Sequence, residues 1–313
     1  MIRQRTIKEK VSCTGVGLHS GRRVRVELLP ASENSQILFI RTDKKNHVEL
    51  KASIACLSDT TLATSLASGV NGSRIQIGTV EHLLAATTSA GIDNLQVLVD
   101  GDEIPILDGS AAPFIEMLAA AGIEEQRCSK RFIVIKREVK VQHGNKFAKL
   151  SPGPGLCITC SLDFDHPLIA PTPLRFNFTE ANFRRELMRA RTFGFVQDVE
   201  ALKAKGLARG ASLENAIAID GYRVLNPEGL RYPDEFVRHK ILDAIGDLSL
   251  FGMPVIGKLT LQRPGHTLNT QLVRAVLADP RNYEIVEAVR QSEQVAALGE
   301  GAFALFEPYQ SIA

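Results

Sequence analysis

The chain has 313 residues and a balanced charge, with 37 lysines and arginines against 35 aspartates and glutamates. A net charge of +2 without a basic run argues against a nucleic-acid-binding protein, because such proteins carry a clustered basic surface. No apolar run is long enough to span a membrane, and the amino terminus lacks the apolar core of a signal peptide. Five cysteines, an odd number, suit a reducing compartment, so we expect a cytoplasmic protein.

The first half of the chain is predicted to mix strands with two helices. Strands are predicted at residues 6–11, 22–29, 37–41, 48–56 and 95–99. Thr79 is predicted to cap a helix that runs to Ser89 and stops at Gly91, and a second helix is predicted to end near Gly122. His19, between the first two strands, is interpreted as a turn residue rather than a metal ligand.

The second half is predicted to begin after a polar linker at residues 124–131, which gives domains of residues 1–126 and 127–313. Its helices are predicted at about 180–191, 197–205, 234–250 and 270–278. Its strands are predicted at 132–135, 139–141, 148–150, 156–162, 216–219 and 222–225, with another that ends at 262. His143 and His266 are placed in turns, and the residues beyond Pro280 show no interpretable pattern. Both halves therefore indicate one α+β unit used twice.

Cys157 and Cys160 have the spacing of a redox or zinc-binding pair. However, residues 156–164 have the pattern of a strand, in which residues three apart point to opposite faces. No second cysteine pair completes a four-sulfur site. We therefore interpret both cysteines as packing residues.

The charged residues of the segment 236–247 form the strongest chemical pattern. His239, Asp243 and Asp247 recur at intervals of one helical turn, so a helix would stack them along one face. Taken alone, this spacing also fits a solvated helix face with an ion pair. Far upstream, Glu81 directly precedes His82 at the start of another predicted helix, and this second cluster favours a metal site.

His82, His239 and Asp243 together have the composition of a catalytic zinc site. Such a site uses three protein ligands and leaves the fourth position for water. Each of the three residues belongs to a predicted helix, which can hold its side chain rigidly.

Other residues could supply proton transfer and charge. Glu81, next to a ligand, is placed like the base of zinc hydrolases. Asp247 and His266 would form a carboxylate–imidazole pair that favours the protonated ring and therefore a proton donor. Thr192 and Lys240 would add a hydroxyl group and a fixed positive charge.

Six segments form a set that is too specific for chance. They are residues 79–83 (TVEHL), 91–95 (GIDNL), 104–114 (IPILDGSAAPF), 190–195 (ARTFGF), 223–226 (RVLN) and 236–248 (FVRHKILDAIGDL). With these segments the chain closely resembles the zinc-dependent UDP-3-O-acyl-N-acetylglucosamine deacetylases of lipid A biosynthesis, from residue 4 to about residue 277.

The resemblance implies roles for the candidate residues. It makes His82, His239 and Asp243 the ligands of one zinc ion per chain, with iron(II) as an alternative in the cell. It makes Glu81 the base that activates water and His266 the general acid.

The resemblance also implies groups that assist the reaction and bind the substrate. Asp247 would stand beside the acid, and Thr192 would stabilise the oxyanion. Phe193 would line the sugar and acyl site, and Lys240 would contact the diphosphate. Contacts to the nucleotide would come from Lys146, Asp163, Phe164 and Arg263.

An insert at about residues 195–224 would form a passage for the fatty acyl chain. Within it, Ala211 departs from the paired glycines that are common in the family. Its methyl group lies where the backbone would approach the substrate, so it bears on the width of the passage.

The implied fold is α+β, with two similar two-layer sandwiches (a duplicated β-α-α-β unit) that face each other and each carry a small insert. The implied reaction is hydrolysis of the N-acetyl amide of UDP-3-O-acyl-N-acetylglucosamine. The alternatives are a non-catalytic nucleotide-sugar-binding protein and a zinc hydrolase of another acylated amine. Beyond this lipid-bearing substrate we expect no nucleic-acid partner and no membrane span, and we expect a monomer.

Overall fold

The computed structural model describes residues 2–44, 48–70, 73–163, 166–169 and 172–288. These residues form five sheets and six α-helices, which confirms the predicted α+β class. None of the described helices is both long and apolar enough to cross a membrane.

The first half of the chain builds a five-stranded sheet, two helices and two smaller sheets. Its elements are β1 (Arg3–Ile7), β2 (Val11–Val16), β3 (Arg23–Pro30), β4 (Ile37–Arg41), β5 (Val48–Lys51), β6 (Leu57–Asp59), β7 (Ser65–Val70), β8 (Ser73–Ile77), α1 (Glu81–Ser89), β9 (Leu95–Val99), α2 (Ala112–Ala121) and β10 (Ile123–Ser129). The five-stranded sheet has the order β2-β3-β9-β4-β5. Only β4 and β9 run parallel within it.

The core of this half lies against one face of the sheet. In β3 the buried residues Val24, Val26 and Leu28 alternate with more exposed ones, as expected for a strand with one solvated face. Helix α1 packs against α2, and nearly all of its side chains are buried. The polar residues Glu81 and His82 at its start are therefore inside the protein.

The predicted linker is not a loop. Residues 123–129 form β10, which pairs antiparallel with β1, so that Ile7 stands opposite Ile123. Within this two-stranded sheet, Glu124, Glu125 and Arg127 of β10 are exposed, which explains the polar sequence of the segment. The division into domains at residues 126 and 127 stays a prediction.

The second half builds a seven-stranded sheet, four helices and another small sheet. Its elements are β11 (Arg131–Ile135), β12 (Val139–His143), β13 (Lys146–Ser151), β14 (Leu156–Ser161), β15 (Leu174–Asn177), α3 (Glu180–Glu186), β16 (Phe193–Phe195), α4 (Val196–Ala204), β17 (Ile217–Asp220), β18 (Arg223–Val224), α5 (Glu235–Leu248), β19 (Val255–Gln262), α6 (His266–Leu277) and β20 (Tyr283–Glu287). Strand β19 organises the large sheet, since it pairs with β13, β14 and β11. Helix α5 packs on β14 and α6.

Each half carries a small insert, as predicted. In the first half the insert is the antiparallel sheet β6-β7-β8. In the second half it consists of β16, α4, β17 and β18, in which β16 and β17 pair in parallel around the helix. This second insert spans residues 193–224 and corresponds to the predicted segment 195–224.

Several local predictions were wrong. The strand predicted at residues 6–11 is two strands, β1 and β2, separated by a bend at Lys8 and Glu9. Thr79 does not cap α1, because its φ is +56° and its hydroxyl donates a hydrogen bond to the Glu103 carboxylate instead. The residues beyond Pro280 are not featureless, since β20 pairs antiparallel with β11.

Two further expectations concern single residues. Cys157 and Cys160 are free and lie in β14, as the strand pattern predicts. Burial raises the pKa of the Cys160 thiol to about 12, which argues against a redox or zinc-binding pair. His266 is not in a turn but is the first residue of α6. Gly265 before it is extended and forms the amino-terminal cap of that helix.

Helices α1 and α5 cross at a very short distance, and Gly246 makes this possible. A β-carbon at Gly246 would lie 2.1 Å from the carbonyl oxygen of Glu81. Only hydrogen fits between the two backbones at this point. The crossing brings the first turn of α1 against the middle of α5, where the predicted ligands lie.

We expect Gly246→Ala to destabilise the protein by about 1–3 kcal/mol or more, since an added methyl group in a packed interior forces backbone shifts. The free energy of unfolding can be measured in urea by circular dichroism. Gly194→Ala is the matched control, because its new methyl group would meet nothing within 4 Å. Equal losses of stability in the two variants would show that the close crossing is not a constraint.

Candidate active site

Three buried side chains meet where α1 and α5 cross. His82 comes from the first turn of α1, and His239 and Asp243 lie one turn apart on α5. Asp243 Oδ1 is 3.2 Å from His239 Nε2 and 3.5 Å from His82 Nε2. All three residues are at most 3% exposed. The alternative of a solvated helix face is therefore wrong, and the predicted ligands do lie in one cluster.

Two side chains of the cluster, His239 and Asp243, are oriented by hydrogen bonds in a way that fits a bound cation. His239 Nδ1 is 3.0 Å from the carbonyl oxygen of Ala190 and donates to it, which leaves Nε2 without a proton. Lys240 Nζ donates to Asp243 Oδ2 at 2.8 Å, so Oδ1 remains available. This buried oxygen has no hydrogen-bond donor among the described residues, an arrangement that is costly without a cation. The ligand atoms all lie within 4.8 Å of one another, and their types are those that zinc prefers.

The charge states of the cluster also suit a metal. Burial lowers the pKa of His239 to about 3, so its imidazole is neutral. Burial alone would raise the pKa of Asp243, but neighbouring groups, among them the Lys240 ammonium that donates to Oδ2, outweigh this effect and lower the pKa well below its ordinary value. A neutral imidazole and an ionised carboxylate are the protonation states that bind metal ions.

A second group of side chains is built for proton transfer. His266 Nδ1 lies 3.0 Å from Asp247 Oδ2, and His266 Nε2 lies 3.8 Å from Glu81 Oε1. Burial alone would lower the pKa of His266, but the two carboxylates outweigh it and raise the pKa to about 9. The ring is therefore protonated at neutral pH. Burial also raises the pKa of Glu81, which favours its acting as a base.

The site opens into a cavity of about 800 Å³. Six of the predicted residues line this cavity together with His266: Lys146, Thr192, Phe193, Ala211, Lys240 and Arg263. Asp163 does not line it but lies 3.2 Å from the Arg263 guanidinium. Phe164 lies outside the described residues.

The segment 190–192 is held in place from both halves of the chain. The Thr192 N–H donates to the Gly109 carbonyl oxygen at 2.9 Å, and a β-carbon at Gly109 would lie 2.1 Å from the carbonyl oxygen of Asn215. Arg191 is fully buried and donates to Glu235 at the start of α5, at 2.9 Å. Through these contacts the segments 104–114 and 190–195 position the same part of the site. They fix the carbonyl group that orients His239 and the hydroxyl group that faces the cavity.

Sequence reasoning missed two residues at the site. His19 was interpreted only as a turn residue, yet it lines the cavity, and burial lowers its pKa. Thr64 received no role, yet it contacts both Glu81 and Asp247. The position of His19 in a glycine-rich turn is only a weak sign of a functional role. The sequence around Thr64 gives no sign of a functional role at all.

The sequence was compared with known proteins. Residues 4–278 match the family model of UDP-3-O-acyl N-acetylglycosamine deacetylase (LpxC). The UDP-3-O-acyl-N-acetylglucosamine deacetylase of Myxococcus xanthus (strain DK1622) is 52% identical over 296 residues, which cover 95% of this chain and 93% of the relative. The chain belongs to this deacetylase family.

Other relatives with the same name have similar coverage. The protein of Anaeromyxobacter sp. (strain Fw109-5) is 49% identical over 93% of both chains. That of Shewanella sp. (strain W3-18-1) is 46% identical over 98% of this chain and 100% of the relative. The family region runs from β1 to the end of α6, so it contains the whole cluster and the cavity.

Proposed function

We propose that this chain hydrolyses the N-acetyl amide of UDP-3-O-acyl-N-acetylglucosamine to give the free amine and acetate, an early committed step of lipid A biosynthesis. One observation carries this proposal beyond family membership. The metal-type cluster and the Glu81–His266 pair lie side by side next to the cavity that His266 lines, each with the protonation state that amide hydrolysis needs. A non-catalytic sugar-nucleotide-binding protein would have no use for a buried base beside a protonated imidazole.

We assign the base to Glu81. Its Oε2 accepts a hydrogen bond from the Thr64 N–H at 3.0 Å, which leaves Oε1 free on the side of His266. A carboxylate with a raised pKa accepts the proton of an attacking water more readily than an exposed one. Attack converts the amide carbonyl into an oxyanion, toward which the Thr192 hydroxyl at the cavity wall can donate.

We assign the general acid to His266. Collapse of the tetrahedral intermediate requires a proton on the amide nitrogen, because an amine anion is a very poor leaving group. His266 lines the cavity, and its ring carries that proton at neutral pH. Asp247 accepts from Nδ1, so the proton on Nε2 is the one that faces the reaction space.

The cluster of His82, His239 and Asp243 is proposed to hold one zinc ion, with iron(II) as an alternative in the cell. A metal bound there would act as a Lewis acid toward the amide carbonyl and the attacking water. The chain supplies a second-layer contact for two of the ligands, the Ala190 carbonyl for His239 and Lys240 for Asp243. Such contacts fix the orientation of ligands and strengthen metal binding.

The insert of the second half is proposed to receive the acyl chain. Helix α4 has no fully buried residue, and yet Val196, Val199 and Leu202 on it line the cavity. Their apolar side chains therefore face the cavity and are not fully buried against the rest of the domain. Ile219 of β17 is fully buried instead and holds the insert together.

The part of the cavity lined by Lys146 and Arg263 is proposed to bind the nucleotide. Lys146 and Arg263 line it and carry positive charge suited to a diphosphate, and Asp163 keeps the Arg263 guanidinium in place. Lys240 also lines the cavity, with Nζ 5.5 Å from the centre of the Phe193 ring. We further propose that the chain works in the cytoplasm, which is supported by its five free cysteines, and that it acts as a monomer.

The function can be tested by acetate release from UDP-3-O-acyl-N-acetylglucosamine. Glu81→Ala and His266→Ala should each lower kcat by about 100-fold or more, the usual effect of removing an acid or a base. His166→Ala is the control, since His166 is half-buried and its hydrogen bonds to described residues go to Gly221 of the insert and to its own loop. In the unchanged enzyme, kcat should fall as the pH rises through about 9, because His266 then loses its proton. A basic limb that persists in His266→Ala would assign the acid elsewhere.

Metal dependence gives a second test. We expect one zinc ion per chain by elemental analysis, and we expect chelation to abolish acetate release until zinc is restored. His82→Ala and Asp243→Ala should lose the metal, whereas Glu81→Ala should keep it. Full activity in a demonstrably metal-free sample would contradict the assignment of the cluster.

The third test varies the acyl chain of the substrate. A buried methylene group contributes about 0.8 kcal/mol, so kcat/KM should rise by about fourfold for each methylene group until the passage is full. Ala211→Gly should change the chain length at which this rise ends without changing the zinc content. Equal rates for all chain lengths and for the substrate without an acyl chain would remove the passage from this account.

A further inference from the structure

Two of the three polar groups of Thr64 contact carboxylates that the proton transfer uses, and the third binds the backbone at the start of α1. The Thr64 N–H donates to Glu81 Oε2 at 3.0 Å, and its hydroxyl donates to Asp247 Oδ1 at 2.5 Å. Its carbonyl oxygen accepts from the N–H of Val80, the residue that caps α1, at 3.2 Å. Thr64 is completely buried, so water does not compete for these bonds.

We propose that Thr64 is a positioning residue for both proton-transfer groups of this site. Its backbone fixes the carboxylate of Glu81, and its hydroxyl fixes the carboxylate of Asp247 and, through it, the ring of His266. This inference rests on the proposed function for its catalytic meaning, but the contacts themselves do not depend on it.

The hydroxyl of Thr64 completes the set of donors around Asp247. His266 Nδ1 and Asn269 Nδ2 both approach Asp247 Oδ2, at 3.0 and 2.9 Å. Oδ1 is held mainly by Thr64, since His266 Nδ1 is 3.2 Å from it. Without the hydroxyl, the carboxylate could rotate, and its negative charge would be less neutralised. Rotation would turn the ring of His266 away from its place beside Glu81.

The charge around His266 sets the sign of the expected effect. The groups that face its ring are Asp247 and Asp243 of α5, Glu81 of α1 and His19 of the turn after β2. A hydroxyl that donates to Asp247 withdraws negative charge from the imidazolium. Without the Thr64 hydroxyl, Asp247 should stabilise the protonated ring more strongly. The pKa of His266 should therefore rise, which makes it a weaker acid.

Two pairs of variants isolate the hydroxyl. In the first pair, Thr64→Val is compared with the unchanged enzyme, from which it differs by a methyl group in place of the hydroxyl. In the second pair, Thr64→Ala is compared with Thr64→Ser, which differs from it only by carrying the hydroxyl. In each pair we expect the member without the hydroxyl to have a kcat lower by about 10-fold or more, the usual cost of removing a group that orients a catalytic residue, with KM unchanged. The basic limb of the kcat profile should move to higher pH, and Thr64→Ser should stay close to the unchanged enzyme.

A structural control separates this role from packing. Thr87 of α1 is buried like Thr64, but its hydroxyl donates to the Leu84 carbonyl oxygen at 2.9 Å and to no other described residue. Thr87→Val should lose a comparable hydroxyl and leave the basic limb where it is. If Thr64→Val does not fold, the comparison of Ala with Ser at position 64 decides the question, because Ala places no apolar carbon against the carboxylate.

Nuclear magnetic resonance gives a readout that does not depend on the reaction. In the zinc-loaded full chain with labelled imidazole nitrogens, the titration of His266 should move to higher pH in Thr64→Val and Thr64→Ala but not in Thr64→Ser. An unchanged titration and kcat in both variants without the hydroxyl, or equal losses in Ala and Ser, would overturn the proposal. Absence of acetate release from the unchanged enzyme would instead reject the proposed function, and the titrations would still test Thr64.

Discussion

The close crossing of α1 and α5 is the constraint on which the site depends. Two helices normally keep their axes 8–10 Å apart because of side chains at the contact. Here Gly246 contributes no side chain, and the backbone of Glu81 fills the space. As a result, His82 from one half of the chain reaches His239 and Asp243 from the other. A larger separation of the two helices would move His82 away from His239 and Asp243.

The crossing also explains why polar side chains can be buried so deeply. A buried charge is tolerated when it is paired or binds a metal, and a buried polar group needs a hydrogen bond. Asp247 has three donors, Thr64, His266 and Asn269, so it is fully satisfied by the protein. Asp243 Oδ1 is not satisfied in the same way. This difference marks Asp247 as an electrostatic partner of His266 and Asp243 as a candidate ligand.

The sequence predicted much of the fold where short-range patterns decide it. Strands β4 and β9 have the predicted ends, and α5 was predicted to within two residues. The cluster of His82, His239 and Asp243 could be predicted because two of these residues repeat at helical spacing and because a glutamate beside a histidine is distinctive. The start of α6 at His266 could not be predicted, since the apolar pattern of that helix begins only later. The contacts of Thr64 could not be predicted either, because its partners Glu81 and Asp247 are distant in sequence and meet only in the folded chain. The strand β10 was mistaken for a linker because edge strands and loops share polar composition.

The surroundings assign different work to side chains of the same chemical type. Glu81 and Asp243 are both buried carboxylates, but burial raises the pKa of the first, while its neighbours, among them the Lys240 ammonium, lower that of the second despite burial. His239 and His266 are both buried imidazoles, but burial lowers the pKa of one to about 3, while Asp247 and Glu81 overcome burial and raise the other to about 9. One member of each pair therefore has the state of a ligand, and the other has the state of a base or an acid. Pairs of titratable groups whose pKa values are driven apart mark the division of roles in an active site. In this chain the division follows from which groups neighbour Lys240 and which neighbour Asp247, and both of these residues lie on α5.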